Sequence, residues 1–295
     1  MVKVLKSLKS YSYKLPGEKN PFTGEITRSY DSKVVELVKI APELKEPYMV
    51  ETRAIISGDV IEVISYEKPY VKNAKSKINP GGKKGGDKVE KRADNIKQTK
   101  QKLRRLINSN CTKKDSFVTF TYAENQQDVK QAKDDFKKFI KRLEYYRRKQ
   151  GVKENLRYVY VIEFQDKYGR GAVHFHTIFF NIEYIEANKL QEIWSLGWIK
   201  INHIKHVDNV GAYVVKYMQK DINGDSRLYG VDLYGRSRGN LQEPQIIEKK
   251  EACKLLEMVY SNQLTYTSSF DTDYKGIVTY KQYNVNRTQN KEEIV

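Results

Sequence analysis

The sequence predicts an α+β protein built on a ferredoxin-like, RNA-recognition-type antiparallel sheet with helices on one face, plus N- and C-terminal extensions. Three observations carry that expectation. Between residues 115 and 222 the apolar pattern switches between period 2 and period 3.6, in the order strand, helix, strand, strand, helix, strand, helix. Two of those strands are separated only by a polar turn containing Gly169. The longest helix carries an apolar stripe wide enough to cover one face of a sheet, which leaves the other face free.

Each element has its own justification. SFVTFTY (116–122) is β-branched and aromatic and reads as a buried strand. In AENQQDVKQAKDDFKKFIKRLEYYRRKQG, Val129, Ala132, Phe136, Phe139, Ile140 and Leu143 recur at helical spacing up to a stop at Gly151. LRYVYVIEF and GAVHFHTIFFN form a hairpin around QDKYGR. A short helix, IEANKLQEIWSLG, leads to the strand WIKINHIKHV, and then to a helix, DNVGAYVVKYMQKDI, that starts at Asp208 or Asn209 as N-cap. Before this block, VVELVKIAPEL and MVETRAIISGDVIEVISYE read as short strands around a Pro turn. After it, EPQIIEKKEACKLLEMVYS reads as a helix, and LTYTSSF and GIVTYKQYNV as strands. The expected division is an N-terminal region at 1–75, a basic linker or helix at 76–114, the central domain at 115–222 and a C-terminal region at 223–295.

Composition narrows the function classes. Hydrophobic residues at 39% and aromatics at 12% of 295 residues exclude a disordered chain. No run approaches the roughly 20 apolar residues of a membrane span, and Lys interrupts the N-terminal Val and Leu, so a cytoplasmic protein without a membrane partner is expected. Cys111 and Cys253 have neither metal-ligand spacing nor a disulfide framework. A net charge of +17 favours a polyanionic partner. Residues 71–114 hold 15 Lys and Arg against three acids, a local excess of 12. The segment SKINPGGKKGGDK reads as a flexible loop, and KVEKRADNIKQTKQKLRRLINSN as a basic amphipathic helix. That helix is either a solvated connector or a clamp on a phosphate backbone, through Lys100, Lys102, Arg104 and Arg105.

The chemistry concentrates on the hairpin and the last helix. Residues two apart on a strand share a face, so His174 and His176 project together, and Glu163 is the sole acid in the neighbouring apolar run YVYVIEF. Two imidazoles and a carboxylate suit Mn²⁺ or Mg²⁺, with Zn²⁺ also chemically possible; the alternative is a structural His pair. On the helix, Tyr213 and Tyr217 lie at i and i+4, with Lys216 and Lys220 on the adjoining faces. A phenolate beside a lysine is a competent nucleophile toward phosphorus, although a Tyr/Val helix face also suits packing.

SFVTFTY, then His174-Phe175-His176, then Tyr213-Val-Val-Lys216-Tyr217, in that order, resemble the three motifs of the HUH endonucleases, and among them the rolling-circle replication initiators (Rep proteins) of plasmids and single-stranded DNA phages. The resemblance implies metal-dependent, site-specific nicking and joining of single-stranded or hairpin origin DNA. By that likeness His174 and His176 are metal ligands and Glu163 is the third. Tyr213 is the nucleophile forming a 5′-phosphotyrosine and a 3′-OH primer, Lys216 is its cationic neighbour, and Tyr217 is a second nucleophile or a packing residue. Lys220 joins the phosphate-gripping set, and Tyr122, Tyr168 and Trp198 are candidates to stack bases. GGKKGGDK lacks the spacing and hydroxyl of a nucleotide-binding loop, so strand separation is assigned to supercoiling or a host helicase, and extension to a host DNA polymerase. A relaxase or single-strand transposase would share the chemistry. A non-catalytic RNA-recognition-type binder would instead present aromatics such as Tyr158 and Tyr160 on its central strands.

Overall fold

The structure, a computed structural model, describes residues 18–19, 26–27, 47–73, 88–112, 115–166, 169–204, 207–218, 227, 231–232 and 234–285. The strand expected at 34–44, the Gly/Lys loop, Tyr168 and Lys220 lie outside them. The described elements begin with the strands β1 (Glu18–Lys19), β2 (Ile26–Thr27), β3 (Tyr48–Ser57) and β4 (Val60–Lys72), followed by the helix α1 (Lys88–Asn110). Next come β5 (Ser116–Tyr122), α2 (Val129–Lys149), β6 (Tyr158–Gln165), β7 (Ala172–Phe179), α3 (Ala187–Trp194), β8 (Gly197–His203), α4 (Val210–Val215) and β9 (Tyr234–Arg236). The last are β10 (Gln245–Ile247), α5 (Lys250–Val259), β11 (Leu264–Thr272) and β12 (Gly276–Asn284).

The chain divides into two compact units, residues 1–76 with 245–295, and residues 77–244. In the first, an antiparallel sheet runs in the order β10-β3-β4-β12-β11. Alternate residues Ala54 and Ile56 of β3, and Ile61 and Val63 of β4, pack with Ala252, Cys253 and Leu256 of α5. The helix expected over 243–261 is shorter than its apolar pattern. Gln245–Ile247 pair with Ile56–Ala54 of β3, and the helix begins only at Lys250. Three ladder residues at a sheet edge outweigh one more helical turn there, because the strand satisfies their backbone groups while burying Ile247.

The second unit contains the sheet β8-β5-β7-β6-β9, antiparallel throughout. Its four longer strands stand in the spatial order fourth, first, third, second, which is that of a ferredoxin-like sheet. α2 and α3 cover one face: Phe120 and Phe175 meet Phe136, and Phe120 also meets Phe139 and Trp194. All five are essentially buried, and burying side chains of this size stabilises by about 1.5–3 kcal/mol each. Asp128 starts α2 by accepting from the backbone N–H of Lys130 and Gln131 at 2.8 and 3.2 Å, and Gly151 follows its end at φ +84°.

α1, the basic helix, is built into this unit. Leu103, Leu106 and Ile107 are buried in the same core as β5 and β7, and the helix packs on α4. β9 adds an edge strand beside β6 from residues beyond 222. Gly235 is required there, since a Cβ would stand 2.3 Å from the ring of Tyr160.

Candidate functional site

Strand register assembles the polar cluster. Glu163 of β6 lies directly opposite His174 of β7, and Thr119 of β5 lies opposite His176. All four therefore share the sheet face turned away from α2 and α3. One ligand atom each from Glu163, His174 and His176 falls within 4.8 Å of the others. His176 Nε2 is 2.6 Å from Glu163 Oε2, its Nδ1 is 3.1 Å from Thr119 Oγ1, and His174 Nε2 is 3.0 Å from Gln165 Oε1. Burial, with a smaller contribution from neighbouring His176 and against the pull of Glu163, pushes the His174 pKa down to about 4. At neutral pH that imidazole is uncharged, with a lone pair to donate. Two imidazole nitrogens and a carboxylate oxygen converging at this spacing fit a divalent cation, with further positions left for water or phosphate oxygens. The three residues could thus hold a metal ion.

α4 brings the tyrosines to the same face. Asn209 caps it, its Oδ1 accepting from Ala212 N–H at 2.9 Å. The helix ends at Val215, and the chain continues through Met218 in tightened turns in which Tyr217 N–H reaches Val214 O and Met218 N–H reaches Val215 O. The Tyr217 ring stacks on the His176 imidazole at 4.0 Å, and its hydroxyl donates to the Tyr213 hydroxyl at 3.1 Å. Both tyrosines rest on Phe117 of β5. Lys216 Nζ lies 3.8 Å from the centre of the Tyr213 ring and 5.2 Å from that of Tyr217. Burial first, then the hydrogen bond to Tyr213, pushes the Tyr217 phenol upward, so Tyr217 keeps its proton.

The remaining expected residues divide. Lys100, Lys102, Arg104 and Arg105 lie on α1, with Lys102 exposed and Lys100, Arg104 and Arg105 partly buried. Trp198 is 55% exposed and lies opposite Thr121, on the histidine face. Tyr122 is not available to stack a base: it is 4% exposed on the helix-covered face, its ring against Trp194 and its hydroxyl on Asp135. Tyr158 and Tyr160 point to that same covered face, against Phe136. Sequence reading passed over Thr119, Gln165 and Lys200. Period 2 could have found them, since Thr119 and Lys200 are register partners on the histidine face and Gln165 is two residues beyond Glu163.

An RRM-like α+β sheet with a Glu/His/His cluster and a tyrosine pair on one face is consistent with the fold that HUH endonucleases use. Residues 115–222, just over a third of the chain, match the model of a family described as Replication-associated protein ORF2, and the match spans both the cluster and the tyrosines. No curated protein and no solved structure gives a significant match. Among the described residues, no helix is long and apolar enough to cross a membrane.

Proposed function

We propose that the chain initiates replication of a circular replicon by nicking and rejoining single-stranded origin DNA through a tyrosine-linked intermediate. The observation that carries this reading is the contact between the tyrosine pair and the cluster, with Tyr217 stacked on His176 and hydrogen-bonded to Tyr213. The family match over the same residues favours replication over conjugation or transposition. Glu163, His174 and His176 would hold a divalent ion, Mn²⁺ or Mg²⁺, whose contribution when bound is Lewis acidity at an oxygen of the scissile phosphate.

Tyr213 is the nucleophile. Its phenolic oxygen forms a bond to phosphorus, the bond from phosphorus to the 3′-oxygen breaks, and the proton lost by the phenol is balanced on the departing oxygen. A 5′-phosphotyrosine and a free 3′-OH result. Attack by a later 3′-OH reverses the step without ATP, because the phosphodiester energy is kept in the covalent link. Lys216, over the ring, stands beside the charge that develops on the phenolic oxygen, and the Tyr217 hydroxyl donates a hydrogen bond to that oxygen. Trp198 and the α1 cations are suited to hold the extended strand.

The test is incubation with labelled single-stranded origin DNA and Mn²⁺, scored for a covalent protein–DNA adduct. The wild type should form it, and Tyr213→Phe should not. Wild-type protein that forms no adduct with any divalent ion would end the enzymatic reading. An adduct retained in Tyr213→Phe would move the nucleophile to another residue.

A further inference from the structure

α4 is only six residues long, too short to hold its own register in water, so its position must be imposed from outside. Two asparagines impose it. Asn209 Oδ1 accepts from Ala212 N–H at 2.9 Å, and Asn108 Oδ1, reaching across from α1, accepts from Gly211 N–H at 2.7 Å. Asn108 Nδ2 then donates to Asn209 Oδ1 at 2.9 Å, which joins the two caps into one network. Asn108 is 7% exposed. The helices touch at backbone distance: a Cβ at Gly211 would stand 2.2 Å from the carbonyl oxygen of Arg104 and 2.8 Å from Asn108 Oδ1. Val210 and Val214 of α4, with Leu103, Leu106 and Ile107 of α1, share the buried core on either side of this crossing.

Resting on the nicking reading above, we infer that Asn108 is a positioning residue, which fixes the rotation of α4 and so the reach of Tyr213 and Tyr217 over His176. Tyr213 and Tyr217 follow Gly211 by two and six residues, so the hydrogen bond at Gly211 acts within one to two turns of both phenols. The same helix supplies Arg104 and Arg105, so the cations expected to grip DNA and the amide that orients the nucleophile belong to one rigid element. A loss of only the capping bonds would leave the apolar contacts of α1 in place. It would let α4 turn by a fraction of a residue, and displacements of about 1 Å cost reactions of this kind about 100-fold.

The test compares Asn108→Ala with Asn108→Asp, which keeps the acceptor for Gly211 N–H and loses the donor to Asn209. Adduct formation at saturating DNA and Mn²⁺ should fall about 10- to 100-fold in Asn108→Ala and less in Asn108→Asp, with DNA affinity and Mn²⁺ affinity within about twofold of wild type. The His176 ring-proton resonance, shifted by the Tyr217 ring stacked on it, should move toward its unstacked position in the same order of variants. Wild-type cleavage in folded Asn108→Ala would overturn the inference. So would parallel losses of rate, DNA affinity and melting temperature that Asn108→Asp does not mitigate, because those describe a general structural role. Should Asn108→Ala not fold, Asn108→Asp alone decides: an unchanged His176 resonance and rate would refute it. Wild-type protein that forms no adduct would remove the nicking reading, and the His176 resonance would still decide whether Asn108 positions the tyrosines.

Discussion

Thr119→Val isolates the one hydroxyl that orients His176. His176 Nε2 is engaged with Glu163 at 2.6 Å and Nδ1 with Thr119 at 3.1 Å. With Nε2 committed to a cation, Nδ1 carries the proton and must donate it. A threonine hydroxyl serves both situations, because it can donate and accept. Valine keeps the shape and the strand propensity of residue 119 and removes only the oxygen. His176 is 5% exposed, so water does not readily take the hydroxyl's place. A lost neutral hydrogen bond costs about 0.5–1.5 kcal/mol, and orienting partners of metal-bound histidines are worth about 10- to 100-fold in affinity. The two ranges meet near 1.4 kcal/mol, about a tenfold rise in Kd. Calorimetric titration of Mn²⁺ into purified wild type, Thr119→Val and Thr119→Ser should show that loss in the valine variant and substantial recovery in the serine one. Affinity within twofold of wild type in Thr119→Val would mean that His176 is held by Glu163 and the Tyr217 ring alone.

Two further outcomes follow from groups away from the cluster. Arg147, 2% exposed at the end of α2, donates to both Glu183 oxygens at 2.8 and 2.9 Å and to the carbonyls of Glu154 and Asn181 at 3.1 Å. Arg147→Met should therefore destabilise the second unit by about 3 kcal/mol. Both tryptophans, Trp194 and Trp198, lie in that unit, so urea unfolding followed by tryptophan fluorescence reads it alone; a change below about 1 kcal/mol would refute the assignment. In the first unit, burial raises the pKa of Glu248, but its hydrogen bonds to Lys72 at 2.6 Å and to Tyr48 prevail and hold the carboxyl below its ordinary 4.5. The unfolded chain then binds the proton first, so this contribution is present above about pH 4.5 and is lost as pH falls below it. Glu248→Gln should flatten the acid limb of thermal stability in that window, and an unchanged acid limb would remove the pair from the account.

The sequence made the site legible to the extent that it lies on regular strands. SFVTFTY coincides with β5, and the lone acid in YVYVIEF stands opposite His174, because period 2 and a short turn together set hairpin register. Asn209 as N-cap followed from its chemistry. Contacts between distant segments were not legible. Leu103, Leu106 and Ile107 mark a helix face, but periodicity does not say what covers it, and the surrounding Lys and Arg made a connector the simpler reading. For the same reason nothing in 48–72 or 264–284 announced that they share a sheet, since the ladder joining β4 to β12 links segments about 200 residues apart. The shortness of α4 was hidden because its apolar pattern runs on through Met218 while the backbone tightens after Val215.

The two faces of the second sheet divide the work, and the division explains how three candidate ligands from two strands are kept convergent. Between His174 and His176 stands Phe175, fully buried on the reverse face against Phe136 at 4.7 Å and Trp194 at 6.4 Å. Next to Glu163 stands Ile162, and next to Thr119 stands Phe120, both buried on that same side. Every one of these four polar residues thus has a chain neighbour locked into a close-packed core, and a strand cannot shift one face without shifting the other. The helices α2 and α3 lie across the sheet from the cluster, yet they fix the site by fixing the reverse of its strands. α4 has no such backing of its own, and its tyrosines depend instead on Phe117 beneath them and on the asparagines at its start. The cluster is therefore the rigid half of the site, and the tyrosine helix is the half whose placement single substitutions can tune.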